Sequence, residues 1–203
     1  MMDPETMEAR QEFETTLKAT ERSGMDELLY YLFEQTDFLT APASTRYHDC
    51  TKGGLVRHSV MVYRKLMGIL QAPGTGIAAS QESAAIAGLL HDVCKTNMYK
   101  PCIKHRKVDD GNGRSHWEDY EGYEISEAFP AGHGEKSVMI IERFIQLTVP
   151  EIMAINWHMG GFDIRARSFE GGNQLASSME KYPLIIALHA ADLMATYETA
   201  ART

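Results

Sequence analysis

The sequence predicts an all-α fold carrying one small β-hairpin insertion at about residues 99–125. Apolar residues recur at helical spacing through most of the chain, and helix-start signatures precede those stretches. Between Met98 and Ser126 the pattern changes to two extended stretches around a glycine-containing turn. At 203 residues the chain can bury one sizeable core, since typical domains run to ~100–200 residues. A single domain over 1–203 is expected.

Asp3-Pro4-Glu5 reads as a helix start, with Asp as N-cap and Pro at the first helical position, followed by a polar stretch to about Arg22. A second helix is expected over Met25–Phe38. Thr40–Gly54, with Pro42 and the Gly53-Gly54 pair, reads as a loop. From Leu55 to about Leu70, Val62, Leu66 and Ile69 follow His58 at spacings of four, four and three, which turns His58 toward the core. After Pro73, Gly74 and Gly76, a helix from Ser83 to about Lys95 is expected. Its inner stripe contains Ala84, Ala87, Gly88, His91 and Lys95, and the small residues permit close packing.

The hairpin follows from Ile103–Val108 and Trp117–Ile125 flanking Asp110-Gly-Asn-Gly113. Pro130–Ser137 opens a helix expected to continue to about Gln146, and Pro150-Glu151 opens a shorter one ending near Gly160. Gly160 to about Ser177, with four glycines, reads as a loop that leads to a last helix from about Pro183. There Ile185, Leu188, Asp192, Ala195 and Thr199 share a face.

Several function classes fall away on composition. The net charge of −8 disfavours the broad basic surface that long nucleic acids need, while a local basic pocket remains compatible with a small phosphorylated ligand. No run reaches the ~18 apolar residues of a membrane helix, because His189 and Asp192 interrupt Tyr182–Tyr197. The first residues are acidic, unlike a secretory signal, and a cytoplasmic location is expected. Cys50, Cys94 and Cys102 lack CxxC spacing and read as reduced thiols, neither a disulfide framework nor a Cys-type zinc site.

A carboxylate on an apolar stripe needs a cation, a proton or a metal, because burying it alone costs several kcal/mol. Asp192 and Asp92 both raise that requirement. Two aspartates with several imidazoles form an oxygen and nitrogen donor set suited to Mg, Mn, Fe, Ni or Zn, and thiolate-preferring metals are not favoured. Lys95, one helical turn after His91, should reach the same mouth and hold a phosphate oxygen as a point charge.

Gly53-Gly54-Leu-Val-Arg-His58, Leu90-His91-Asp92-Val-Cys-Lys95 and Asp192 together resemble the H…HD…D signature of HD-domain metal-dependent phosphohydrolases. The resemblance covers most of the chain and implies an HD-domain helical bundle. It assigns His58, His91, Asp92 and Asp192 as ligands of one divalent ion. Two-metal members add two histidines between the HD pair and the last aspartate. His133 in Gly132-His-Gly-Glu135 and His158 in Asn156-Trp-His158 stand in that order, so the resemblance favours two ions bridged by Asp92. The Gly53-Gly54-Leu-Val-Arg-His-Ser59 entry and the Gly132-His-Gly-Glu135 segment are also similar to the HD part of bacterial 3′-to-5′ exoribonucleases. Only the hydrolytic half of that likeness carries over, since the stretch before Arg46 is short and reads helical.

The implied reaction is phosphomonoester or phosphodiester hydrolysis of a small phosphorylated or nucleotide-like substrate by a metal-bound hydroxide. Asp92 and Lys95 are its catalytic candidates, and Lys95, Lys136 and Arg165 its substrate-binding candidates. The same ligand set also occurs in HD-type di-iron oxygenases acting on small polyols or phosphonates, and a non-catalytic nucleotide-sensing module is a third alternative. His189, His48 and Asp49 are weighed as supporting polar residues, and His105 and His116 as a solvated strand face.

Overall fold

The computed structural model describes residues 2–45 and 49–200, with side chains to residue 198. His48 and the side chain of Thr199 lie outside the described residues. Eight α-helices and one antiparallel hairpin are present among them, in agreement with a mostly helical fold with a hairpin insertion. None of those helices is long and apolar enough to cross a membrane.

α1 (Pro4–Lys18) starts where expected: the Asp3 side chain accepts from the Thr6 amide at 2.9 Å, and Phe13 and Leu17 are buried. α2 (Met25–Glu34) stops four residues short of the expected Phe38. Thr36 Oγ1 donates to the Leu32 carbonyl at 2.7 Å and so offers that acceptor an alternative to the helical ladder. α3 (Gly54–Gln71) is the central helix and packs against α1, α4 (Gln81–Leu90) and α8 (Leu184–Ala200). A Cβ on Gly54 would sit 2.0 Å from the Asp49 carbonyl oxygen, so glycine is what lets the incoming loop press on the start of α3. A Cβ on Gly88 would lie 2.9 Å from Tyr63 Cα, which accounts for the close α3–α4 approach anticipated from the small residues.

α4 ends earlier than the expected helix to Lys95. His91 is its C-cap, Asp92 takes φ −110° and ψ 14°, and Val93–Lys95 form a separate 3-10 turn. The strands β1 (Tyr99–Asp109) and β2 (Ser115–Ile125) then pair from Tyr99↔Ile125 to Asp109↔Ser115. Gly111 and Gly113, both at φ 74°, make the connecting turn. His105 and His116 are exposed on this hairpin and pair with Asp119 and Asp110 at 2.6 and 2.8 Å.

α5 (His133–Ile141) and α6 (Val149–Trp157) form a tight pair. Thr148 and Glu151 close a capping box at the start of α6, and the buried Glu151 also binds Arg22 at 3.1 Å and Ser83 at 2.8 Å. Two 3-10 turns follow, Gly160–Phe162 and Ile164–Arg167. The expected long loop contains α7 (Phe169–Lys181) instead. Ser168 caps it by accepting from the Gly171 amide at 3.0 Å, so a local cap and the buried Leu175 overcome the low helix propensity of the glycine pair.

Candidate metal centre

Six structural pieces meet at the carboxylate of Asp92. The inward stripe of α3 supplies His58, the end of α4 supplies His91, and the turn after it supplies Asp92 itself and Lys95. The first residue of α5 is His133, the C-cap of α6 is His158, and α8 supplies Asp192. His58, His91, Asp92 and His158 are buried, while the side chains of His133, Asp192 and Lys95 keep 27%, 16% and 11% of their surface and form the open side. The structure therefore brings together all six residues expected as ligands, with Lys95 among them.

His91 and His158 are held in the same way. Each is a helix C-cap, and each donates Nδ1–H to the carbonyl three residues earlier: His91 to Gly88 at 2.9 Å, His158 to Ile155 at 2.7 Å. That bond places the proton on Nδ1 and leaves the Nε2 lone pair free to bind a cation. Among the described residues neither Nε2 finds a hydrogen-bond partner, and they face Asp92 at 3.4 Å (His91 to Oδ2) and 3.5 Å (His158 to Oδ1). Buried polar atoms without such partners are rare and call for an ion, a water or a proton between them.

The two oxygens of Asp92 face different groups. Oδ2 faces His58 Nε2 at 3.6 Å, His91 Nε2 at 3.4 Å and Lys95 Nζ at 2.6 Å, and His58 Nε2 also lies 3.1 Å from Asp192 Oδ1. Oδ1 faces His133 Nε2 at 2.8 Å and His158 Nε2 at 3.5 Å. Donor atoms of His58, His91 and Asp192 lie within 4.8 Å of one another, as do those of His91, Asp92 and His158. These buried His and Asp groups can hold a divalent cation, and the oxygen and nitrogen set fits one.

Electrostatics favour the same conclusion. Burial pushes the Asp92 carboxyl up, but Lys95, His91, the hydrogen bond from His133 and the nearby His158 ring outweigh it and hold Asp92 well below the usual carboxylate range. Asp192 is likewise raised by burial and lowered further by His58 and His91, against the repulsion of Asp92. Burial would lower Lys95, yet Asp92 raises it above its ordinary value. The site is thus built to keep two carboxylates charged.

Neighbouring residues brace it. A Cβ on Gly134 would come within 2.3 Å of the Asn156 carbonyl oxygen and 2.5 Å of that of Ile155, so glycine permits the α5–α6 contact that sets His133 beside His158. His189 Nδ1 donates to the His158 carbonyl at 2.7 Å, and Gly160 at φ 53° gives its ring room. Asp49 pairs with Arg57 at 3.5 Å next to His58. Sequence reasoning missed two residues here. Tyr99 at the start of β1 is pushed up to about 12 by burial, partly offset by Lys95 beside it. Cys94 Sγ shares the space of Asp92 and His133. Neither carries a spacing signal, because both depend on the turn after Asp92.

The other two cations expected at the substrate are committed to different partners. Lys136 is buried, pairs with Glu127 and lies over the Phe129 ring at 5.8 Å. Arg165 pairs with Asp163 at 2.6 Å and Glu135 at 2.7 Å, donates to the Asn156 carbonyl at 2.8 Å and stacks over Trp157 at 4.3 Å. Neither ion pair involves Asp92. Arg165 helps line a surface groove of about 610 Å³ with Glu135, Asn156, Trp157, Asn173 and Gln174. Compared with known proteins, the chain matches no family model, no curated protein and no solved structure.

Proposed function

We propose that this protein is a metal-dependent phosphohydrolase of the HD type that cleaves a phosphate ester of a small phosphorylated or nucleotide-like substrate. The observation that carries the reading is the division of Asp92, one oxygen toward His58 and His91, the other toward His133 and His158. That division suits two divalent ions with Asp92 between them. His58, His91 and Asp192 would hold one, and His133 and His158 the other. Such ions, when bound, lower the pKa of a coordinated water toward ~7 and neutralise phosphate oxygens.

The chain's own residues set the remaining conditions. His91 and His158 present Nε2 with the tautomer already fixed by their Nδ1 hydrogen bonds. Lys95 supplies a point charge for a phosphate oxygen at the open edge, once an ion has taken over the charge of Asp92. Burial of His58, His91, Asp92 and His158 limits bulk water to the side where the side chains of His133, Asp192 and Lys95 keep part of their surface. The acidic overall charge is compatible with a small substrate rather than a polymer.

The test is to assay protein loaded with Mn, Mg, Fe, Ni or Zn against phosphodiesters, phosphomonoesters and a nucleotide panel. Metal-dependent phosphate release that is lost in Asp92→Ala is expected. Absence of cleavage by metal-filled protein, or full activity in Asp92→Ala, would reject the reading. Substrate-dependent oxygen uptake by the iron form would replace it with oxygenase chemistry.

A further inference from the structure

We propose that Cys94 is a thiolate ligand of the ion held between Asp92 and His133, so that this position prefers zinc, cobalt or ferrous iron over magnesium. The inference rests on the metal-centre reading above and adds a donor of a different chemical kind. The sequence alone marks Cys94 as a reduced thiol outside any Cys-type metal site. In the fold, Cys94 is buried in the Val93–Lys95 turn that directly follows Asp92. Cys94 Sγ, an Asp92 oxygen and a His133 ring nitrogen all lie within 4.8 Å of one another, and Cys94 is 1% exposed. Zinc–sulfur bonds of ~2.3 Å and zinc–nitrogen bonds of ~2.0–2.1 Å place tetrahedral donors roughly 3.3–3.8 Å apart, so small side-chain adjustments close the set.

A second observation points independently to an ion at this place. His158 Nε2 is fully buried, finds no hydrogen-bond partner among the described residues, and faces at 3.5 Å the same Asp92 Oδ1 that His133 binds at 2.8 Å. Oxygen, sulfur and one nitrogen therefore cluster there, and a second nitrogen faces the Asp92 oxygen that His133 binds. Ser137 Oγ, accepting from the Cys94 amide at 3.2 Å, pins the turn against α5 and keeps the sulfur in place. The group formed by His58, His91 and Asp192 has nitrogen and oxygen donors only. The two positions are chemically unlike, and a soft donor in just one of them makes their metal preferences diverge. On binding, the sulfur–metal bond forms, the S–H bond breaks, and the proton leaves to the buffer.

Titration of the metal-free full chain with cobalt(II) tests this by absorption spectroscopy. Visible d–d bands report cobalt in the protein, and a near-ultraviolet thiolate-to-cobalt charge-transfer band reports sulfur. The wild type should show both. Cys94→Ser and Cys94→Ala should keep visible bands from the remaining ion, lose the charge-transfer band, and bind the cobalt at this position at least ~10-fold more weakly, a minimum set by the effect of losing even an indirect metal partner. Cys102→Ser should keep both features, and excess magnesium should not displace the charge-transfer signal. Visible bands without a charge-transfer band in the wild type, or a band that persists in both Cys94 variants, overturn the thiolate proposal and leave the metal centre standing. No cobalt spectrum of either kind overturns both.

Discussion

The ammonium of Lys95 lies 2.6 Å from Asp92 Oδ2, the oxygen that also faces His58 and His91. A cation already balances the most buried carboxylate of the site, in the place where the proposed function puts a divalent ion. The two cations compete for one oxygen, and that competition has measurable consequences.

Lys95→Met should destabilise the metal-free protein, because removing one partner of a buried pair leaves an uncompensated charge at a cost of ~3 kcal/mol. Saturating divalent metal should restore most of the loss and should bind more tightly to the variant than to the wild type. Urea unfolding with and without metal checks both. Equal destabilisation in the two conditions would show that no ion reaches Asp92.

Gly134→Ala should lower stability by ~1–3 kcal/mol, the usual range for overpacking, because its Cβ meets two α6 carbonyl oxygens rather than a flexible side chain. It should also weaken metal binding by moving His133 away from His158. Gly68→Ala, whose Cβ would meet nothing within 4 Å, is the control. It should leave both quantities unchanged or stabilise the helix slightly. Thermal unfolding and metal titration of the two variants decide it.

The depressed Asp192 carboxyl predicts a pH window for the metal-free protein. A carboxyl whose folded value lies below its unfolded one contributes stability above the unfolded value of about 4, and that contribution fades as pH falls toward the folded value. The gap in Tm between wild type and Asp192→Asn should therefore be largest above about pH 4 and shrink in more acidic buffer. A gap that widens on acidification would contradict the assignment.

Much of this centre was legible because helical spacing reports which way a side chain faces. His58 and Asp192 sit on inward faces of α3 and α8 as their neighbours required. The His91-Asp92 pair was legible as a site but not as a local structure. Its Nδ1 bond to Gly88 and the turn after Asp92 end α4 five residues early, and no periodicity encodes a side chain that caps its own helix. That turn is also what carries Cys94 and Lys95 to Asp92, a placement that helical spacing from His91 does not encode. α7 was hidden by Gly171 and Gly172, although Leu175, Met179 and Tyr182 at helical spacing after Ser168 offered a signal. Arg165 looked like a loop cation because its partners Glu135 and Asn156 come from α5 and α6, contacts visible only in the fold.

Anomalous diffraction from crystals grown with manganese or iron, measured across the metal's absorption edge, tests the central claim most directly. Two peaks ~3.5–4 Å apart on either side of the Asp92 carboxylate are expected, one beside His58, His91 and Asp192 and the other beside His133 and His158, with Lys95 no longer bound to Asp92. A single Lys95–Asp92 ion pair persisting in metal-soaked crystals, with no anomalous peak near Asp92, would contradict it.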